Sequence, residues 1–226
     1  MRHDLRRGVP LLTLLVLVAC ARLYPPAPAA APSGLPNLDT VKRDIKEYRS
    51  SGRWDADIAR VADECTAAAR EEQAKGGRPA VVFDIDETLL SNWPYEVEND
   101  FARSITLFRD WARRSECPAI DPVKRFYLAM REAGVACFVI TGRRETLHDV
   151  TVRNLERQGI SGWAGISFRS PDDRDPSVIP FKSGERARIE AKGFTIIANI
   201  GDQDSDLAGG YALRTCKVPN PMYLIP

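Results

Sequence analysis

Apolar residues recur at spacings of three and four between Leu38 and about Lys75, at Val41, Ile45, Tyr48, Ile58, Val61, Ala62 and Cys65. That period belongs to helices that bury one stripe, and the break at Ser51-Gly52 divides the segment in two. Gly76-Gly77 ends the second helix, and Pro79-Ala-Val-Val-Phe83 follows as a short, unbroken apolar run that stops at Asp84. A run that is apolar at every position predicts a strand covered on both faces. The same punctuation returns from Val135 to Thr141, stopped by Gly142, and from Phe194 to Ile200, stopped by Gly201; a further short strand falls near Ile166 to Arg169. Helical stretches at Asp121 to Ala133, Glu145 to Gln158 and Ser183 to Ala191 alternate with these strands. Such alternation predicts an α/β fold, a doubly wound parallel sheet with helices on both faces. The chain has no internal repeat and no Gly-rich loop ending in Gly-Lys-Ser/Thr.

Composition adds few constraints to the body and more to the ends. With 44% hydrophobic residues, 28% charged ones and a formal net charge of +1, the chain is globular in character. No basic stretch is interleaved with aromatics, which argues against a nucleic-acid partner. At the start, Arg2, Arg6 and Arg7 precede an apolar run from Val9 to Ala19, the layout of a secretory signal peptide and too short for a bilayer, which needs about 20 residues. The run ends in Leu17-Val18-Ala19-Cys20, similar to the lipobox of bacterial lipoproteins, in which the Cys becomes the lipidated first residue. Cleavage after Ala27-Pro28-Ala29 is the plainer alternative. On the lipobox reading residues 1–19 are a signal peptide, 20–36 a Pro/Ala-rich spacer and 37–226 the working domain, held by a lipid on Cys20 in a bacterial envelope, at the outer membrane or in the periplasm. An oxidising compartment permits disulfides among Cys65, Cys117, Cys137 and Cys216, with the connectivity open, although Cys137 sits inside an apolar run and is expected to pack unpaired. Their spacing fits no zinc motif, and with only His3 and His148 present a His-rich metal site is excluded.

The chemistry gathers where the strands end. Asp84-Ile85-Asp86-Glu87-Thr88 begins at the end of the first strand, and alternation along an extended backbone turns Asp84 and Asp86 to one side. Alone, an Asp-x-Asp pair is weak evidence, since such pairs also cap helices and decorate turns. The other strands end in complementary groups, Thr141-Gly142-Arg143 and Gly201-Asp202-Gln203-Asp204-Ser205-Asp206. Ligands of open α/β sheets bind outside the carboxyl ends of the strands. There the Thr141 hydroxyl and the free N–H groups of a helix starting near Gly142 can hold phosphate oxygens, and Asp202 can join Asp84 around a hard cation. Lys182, in Pro180-Phe181-Lys182-Ser183, can neutralise a phosphoryl group; without these neighbours it would read as a solvated surface lysine.

Asp-x-Asp-x-Thr, a strand-ending Thr, a Lys and Gly-Asp-x-x-x-Asp, in that order, resemble the four motifs of the haloacid dehalogenase (HAD) superfamily. Phe83-Asp-Ile-Asp-Glu-Thr-Leu-Leu-Ser-Asn92, Ile140-Thr-Gly-Arg143, Phe181-Lys-Ser183, Asn199-Ile-Gly-Asp-Gln203 and Pro219-Asn-Pro-Met-Tyr223 are similar to the class B and class C acid phosphatases, bacterial lipoproteins among them, and to plant vegetative storage proteins. The resemblance implies a Mg2+-dependent phosphomonoesterase acting on small phosphate esters, nucleotides among them. It implies that Asp84 attacks phosphorus, and that Asp86, pushed to a raised pKa by its neighbouring carboxylate, acts as acid and then base. It further implies that Asp84, Asp86 through its carbonyl, and Asp202 bind the metal while Asp206 steers a water or ligand, and that Thr141, Gly142 and Lys182 hold phosphoryl oxygens.

Only 57 positions separate Asp84 from Thr141 and 61 separate Thr141 from Asp202, so no large cap fits between the motifs. An open site with a small helical subdomain, from residues 38–75 and 95–116, is expected. Trp93 and Tyr95 follow the catalytic loop and either rim the site, facing an aromatic leaving group, or pack the subdomain onto the sheet. The oligomeric state stays open, a homodimer being one option. Two rival functions remain: a phosphotransferase with the same chemistry, and a storage or binding protein that keeps the fold without turnover.

Overall fold

The computed structural model describes residues 34–226, so the signal peptide, Cys20 and most of the spacer lie outside the described residues. Two helices open the domain, α1 (Leu38–Ser50) and α2 (Arg53–Gln73), separated at Gly52, whose φ of 78° is open to glycine at little cost. The sheet is built from β1 (Pro79–Phe83), β2 (Ala136–Arg144), β3 (Gly165–Arg169), β4 (Thr195–Gly201) and β5 (Thr215–Lys217), all parallel, in the order β3-β2-β1-β4-β5. Between β1 and β2 lie α3 (Trp93–Glu98), α4 (Ile105–Arg114) and α5 (Asp121–Glu132). A helix α6 (His148–Arg157) joins β2 to β3, α7 (Ile179–Ala191) joins β3 to β4, and the short α8 (Asp204–Leu207) follows β4.

The continuous apolar runs are explained by burial from both sides. Val81 and Phe83 of β1 share one core with Cys137 and Val139 of β2, Ile197 of β4, Ile58, Ala62 and Ala69 of α2, and Phe126, Tyr127 and Met130 of α5. The alternate residues, Ala80, Val82, Phe138 and Ile140, face Ile189 and Phe181 of α7 on the other side. A parallel sheet buried in this way needs no polar alternation, and the period of two shows only in which face each residue chooses. Fully burying side chains of this size stabilises the fold by about 1.5 to 3 kcal/mol each.

The expected helical subdomain is divided by the structure. Helix α2 is part of the layer on the sheet, because its stripe of Ile58, Ala62, Cys65 and Ala69 finds the β1 face, while α3 and α4 stand beside the strand ends. Strand β5 has no counterpart in the sequence pattern: Thr215-Cys216-Lys217 is a three-residue edge with little apolar character. A disulfide between Cys65 of α2 and Cys216 ties that edge to the helical layer, and Cys117 and Cys137 are buried and unpaired.

Candidate active site

Pairing in the sheet sets the site. Phe83 lies opposite Val139 of β2 and Ile200 of β4, and the Asp84 N–H donates to the Ile200 carbonyl at 3.0 Å, so the ladder fixes Asp84 level with the residues that end its neighbours. The chain then turns through Glu87, whose φ of 53° is a left-handed conformation costing about 1 kcal/mol or more for a non-glycine residue. It persists because the Glu87 carboxylate is held from three sides: by the Asn92 N–H at 2.6 Å, the Asn92 amide at 3.1 Å and the Tyr223 hydroxyl. Beyond β4, Asp206 folds back so closely that a Cβ on Gly201 would lie 2.5 Å from its own Cβ, which restricts position 201 to glycine.

A cavity of about 250 Å3 opens over these strand ends. Asp84, Asp86, Gly142, Lys182, Asp202 and Asp206 line it, together with Glu96, Arg103, Phe108 and Tyr223. Lys182 is buried, with Nζ 2.6 Å from Asp84 Oδ1 and 2.5 Å from Asp206 Oδ1. Oxygens of Asp84, Asp202 and Asp206 all lie within 4.8 Å of one another. Asp202 accepts from the Asn220 amide at 2.7 Å, from the Gln203 amide, and from the Thr88 hydroxyl at 3.4 Å.

Charge in this floor is out of balance. Burial, followed by the carboxylates of Asp206 and Glu87, pushes Asp202 well above the usual range against its amide donors. Asp84 is pushed up in the same way by burial, although Lys182 opposes it. Lys182 shows the converse: burial would lower it, but Asp84 and Asp206 raise it above its ordinary value and hold it charged. Three neighbouring buried carboxylates, two of them bonded to one ammonium, form a donor set of hard oxygens with negative charge to spare, which suits a cation.

Asp86 corrects the sequence expectation. Burial favours its neutral form, but the Arg143 guanidinium grips it, with Nε 3.1 Å from both oxygens and Nη2 2.6 Å from Oδ1, and the Asn92 amide adds a bond at 2.8 Å. The net result holds Asp86 below the usual carboxylate range, the reverse of the raised value expected from its acidic neighbour. Burial also raises Glu87 to about 7, with the Asp86 charge adding to it.

Other expected residues fall in different places. Gly142 lines the cavity, and Thr141 before it is fully buried, with its hydroxyl oxygen accepting from the Arg143 N–H at 3.1 Å. Strand β2 continues through Gly142 to Arg144, and the helical stretch expected to start near Gly142 begins at Glu145 as one 3-10 turn, Glu145–Leu147, that leads into α6 at His148. Trp93 is not on the cavity wall. Its ring packs edge-on to Phe101, and the Arg49 guanidinium of α1 lies 5.9 Å from its centroid. Tyr95 is buried, its hydroxyl bonded to Ser104 and its ring against Phe108, and it reaches only an adjoining groove.

The sequence reading gave no role to Arg143, Asn92, Glu87, Asn220 or Tyr223, although all lie inside the quoted motifs. The one available signal was local: Arg143 is an ionisable residue embedded where an apolar strand ends, a place where charge survives only if paired.

Comparison with known proteins follows this geometry. Residues 26–226 match the family described as HAD superfamily, subfamily IIIB (acid phosphatase). The chain belongs to this acid phosphatase family. Over 186 residues it is 35% identical to acid phosphatase 1 of Solanum lycopersicum, covering 80% of this chain and 73% of that one. Vegetative storage protein 1 of Arabidopsis thaliana is 30% identical over 204 residues, covering 86% and 75%. Among solved structures, the class C acid phosphatase from Bacillus anthracis with tungstate bound shares the fold at a TM-score of 0.69, with 22% identity over 83% of this chain and 86% of that one. The parallel sheet flanked by helices is thus the architecture of this acid phosphatase family.

Proposed function

We propose that the chain hydrolyses phosphate monoesters by carrying the phosphoryl group on Asp84, with Mg2+ held by Asp84, Asp202 and the carbonyl of Asp86. One observation carries the reading: a buried lysine bonded to Asp84 and Asp206 at 2.6 and 2.5 Å, beside a third carboxylate, at the ends of parallel strands. When bound, the cation would offset the charge of substrate and carboxylates, since phosphoryl transfer depends mainly on positioning and charge neutralisation.

Asp84 Oδ attacks phosphorus, the bond from phosphorus to the ester oxygen breaks, and an acyl phosphate remains on Asp84. Lys182 and the Gly142 backbone, which both line the cavity, would hold the phosphoryl oxygens, with the buried Lys182 ammonium supplying charge for them. A water then attacks the phosphorus and gives a proton to Asp86, releasing phosphate and restoring the Asp84 carboxylate. The proton gained by Asp86 is the one passed to the next leaving oxygen. The Arg143 grip favours the ionised form, so it suits the base step directly and makes the acid step dependent on that retained proton.

The test is release of 4-nitrophenol from its phosphate by the full chain. Turnover is expected, with loss on chelation, recovery with Mg2+, and loss in Asp84→Asn of a correctly folded protein. Substantial hydrolysis by Asp84→Asn would remove the covalent step, and indifference to chelators would remove the metal. Likeness to vegetative storage protein 1 keeps a storage role as the alternative, favoured if the wild type turns over nothing. Added alcohol that diverts phosphate into a new ester would mark a phosphotransferase. Lipid attachment at Cys20 rests on the sequence; Cys20→Ala is expected to abolish fatty-acid labelling, and a labelled Ala variant would refute it.

A further inference from the structure

A second cavity of about 250 Å3 adjoins the catalytic one. The two share Arg103, Phe108, Gly142, Arg143 and Arg144, so together they form a groove leading away from Asp84. The second cavity adds Arg109, and no Asp or Glu lines it. An acidic floor therefore opens into a basic groove.

Its guanidinium groups are unequally compensated. Arg143 is bonded to Asp86. Arg144 donates to the Ser170 carbonyl at 2.6 Å, a neutral partner that leaves its charge in place. Burial, followed by repulsion from Arg169, Arg174 and Arg109, pushes Arg144 below its ordinary value against the pull of Asp173. Arg103 lies over the Tyr223 ring at 4.0 Å, with the buried Glu96 as a partial offset. The nearby carboxylates of Asp110, within α4, and Glu98, at the end of α3, are engaged by Arg113 and Arg114. Like charges crowded with too little counter-charge are relieved by an anion, and guanidinium forks match both carboxylate and phosphate.

We propose that this groove is an anion subsite for the leaving group: preferred substrates are phosphate monoesters whose alcohol part carries a second anionic group, a carboxylate or another phosphate, held by Arg103, Arg109 and Arg144 with its apolar body against Phe108. The proposal rests on the hydrolytic reading of Asp84. Because the groove is open to water, its effect weakens as salt is added.

The test uses the full chain and three esters with one ring: phenyl phosphate, para-carboxyphenyl phosphate and para-phenylene bisphosphate. At low ionic strength the two anionic rings are expected to exceed phenyl phosphate in kcat/KM by about five-fold or more, the stronger of the two identifying the anion. The double variant Arg109→Gln, Arg144→Gln should bring that ratio close to one, as should high salt. Equal kcat/KM for all three esters in the wild type, or an unchanged ratio in the double variant, overturns the subsite. Calorimetric binding of the same esters to Asp84→Asn reads the groove without turnover. Tighter binding of the anionic rings supports it and equal affinity overturns it, whereas wild-type protein that binds but turns over nothing defeats the hydrolytic reading alone.

Discussion

The floor of the catalytic cavity and the groove beside it are both crowded with like charges, and they tolerate that crowding in opposite ways. In the floor, Asp84, Asp202 and Asp206 are buried, and each is tied to Lys182 or to amide donors. In the groove, Arg103 and Arg109 are exposed, and water does most of the compensating. The reason is desolvation. An ion removed from water loses several kcal/mol of hydration and survives only with partners fixed in place, whereas exposed pairs are worth about 1 kcal/mol or less. Substitution in the floor should therefore act nearly all-or-none, and substitution in the groove should act by degrees.

The largest effect is expected for Lys182→Met, which removes the cation bonded to Asp84 and Asp206. Turnover should fall by about 10^2- to 10^3-fold or more, measured as kcat on a protein whose circular dichroism is unchanged. A loss under ten-fold would break the contrast, because the floor would then behave like the groove. Arg143 joins the two regions, being buried like the floor yet positively charged like the groove. Arg143→Gln frees Asp86 from its grip and should reduce kcat by about 10^2-fold with little change in KM. Arg143→Lys should recover only part of this, since a point charge cannot replace the two-oxygen contact. A variant that changed KM alone would make Arg143 a substrate contact instead of a positioning residue.

Smaller effects concern the support behind the floor. Cys216→Ser breaks the link from β5 to α2 and should lower stability by about 2 to 5 kcal/mol in denaturant titration, with kcat retained while the fold persists. Loss of kcat in still-folded protein would show that the β5 edge positions Asp202. Smallest is Trp93→Ala, which removes a half-buried ring in contact with Phe101 and near Arg49. A cost of about 1.5 to 3 kcal/mol is expected, with kcat/KM for aromatic and aliphatic phosphates affected alike. A selective loss for aromatic substrates would return Trp93 to the rim of the site.

Legibility in the sequence followed the range of the interactions. Strands β1, β2 and β4 were visible because a strand covered on both faces must be apolar throughout, and burial is written into each residue separately. β5 was not, because Thr215-Cys216-Lys217 is held by the edge of β4 and a disulfide to a residue far away in the chain. Asp84, Lys182 and Asp202 were recoverable as types at strand ends and a helix start. The ionisation of Asp86 was not, because its acidic neighbour stands two residues away while the arginine that overrides it lies 57 positions on, at another strand end. The exact end of β2 was not legible for a related reason: the sequence shows Thr141 where the apolar run stops, but where the strand stops depends on its pairing with β3, which carries β2 on to Arg144.

The sequence by itself determined the layered α/β order, the strand ends as the place for chemistry, and the residue types gathered there, because each follows from local periodicity and from side-chain chemistry. Only the tertiary structure decided which carboxylates share Lys182, which one Arg143 holds ionised, that Trp93 packs away from the cavity, and that the arginines of α4 and β2 border a common groove. Those outcomes depend on distances between residues far apart in the chain, and electrostatic energy is set by distance and burial, neither of which is written at any single position.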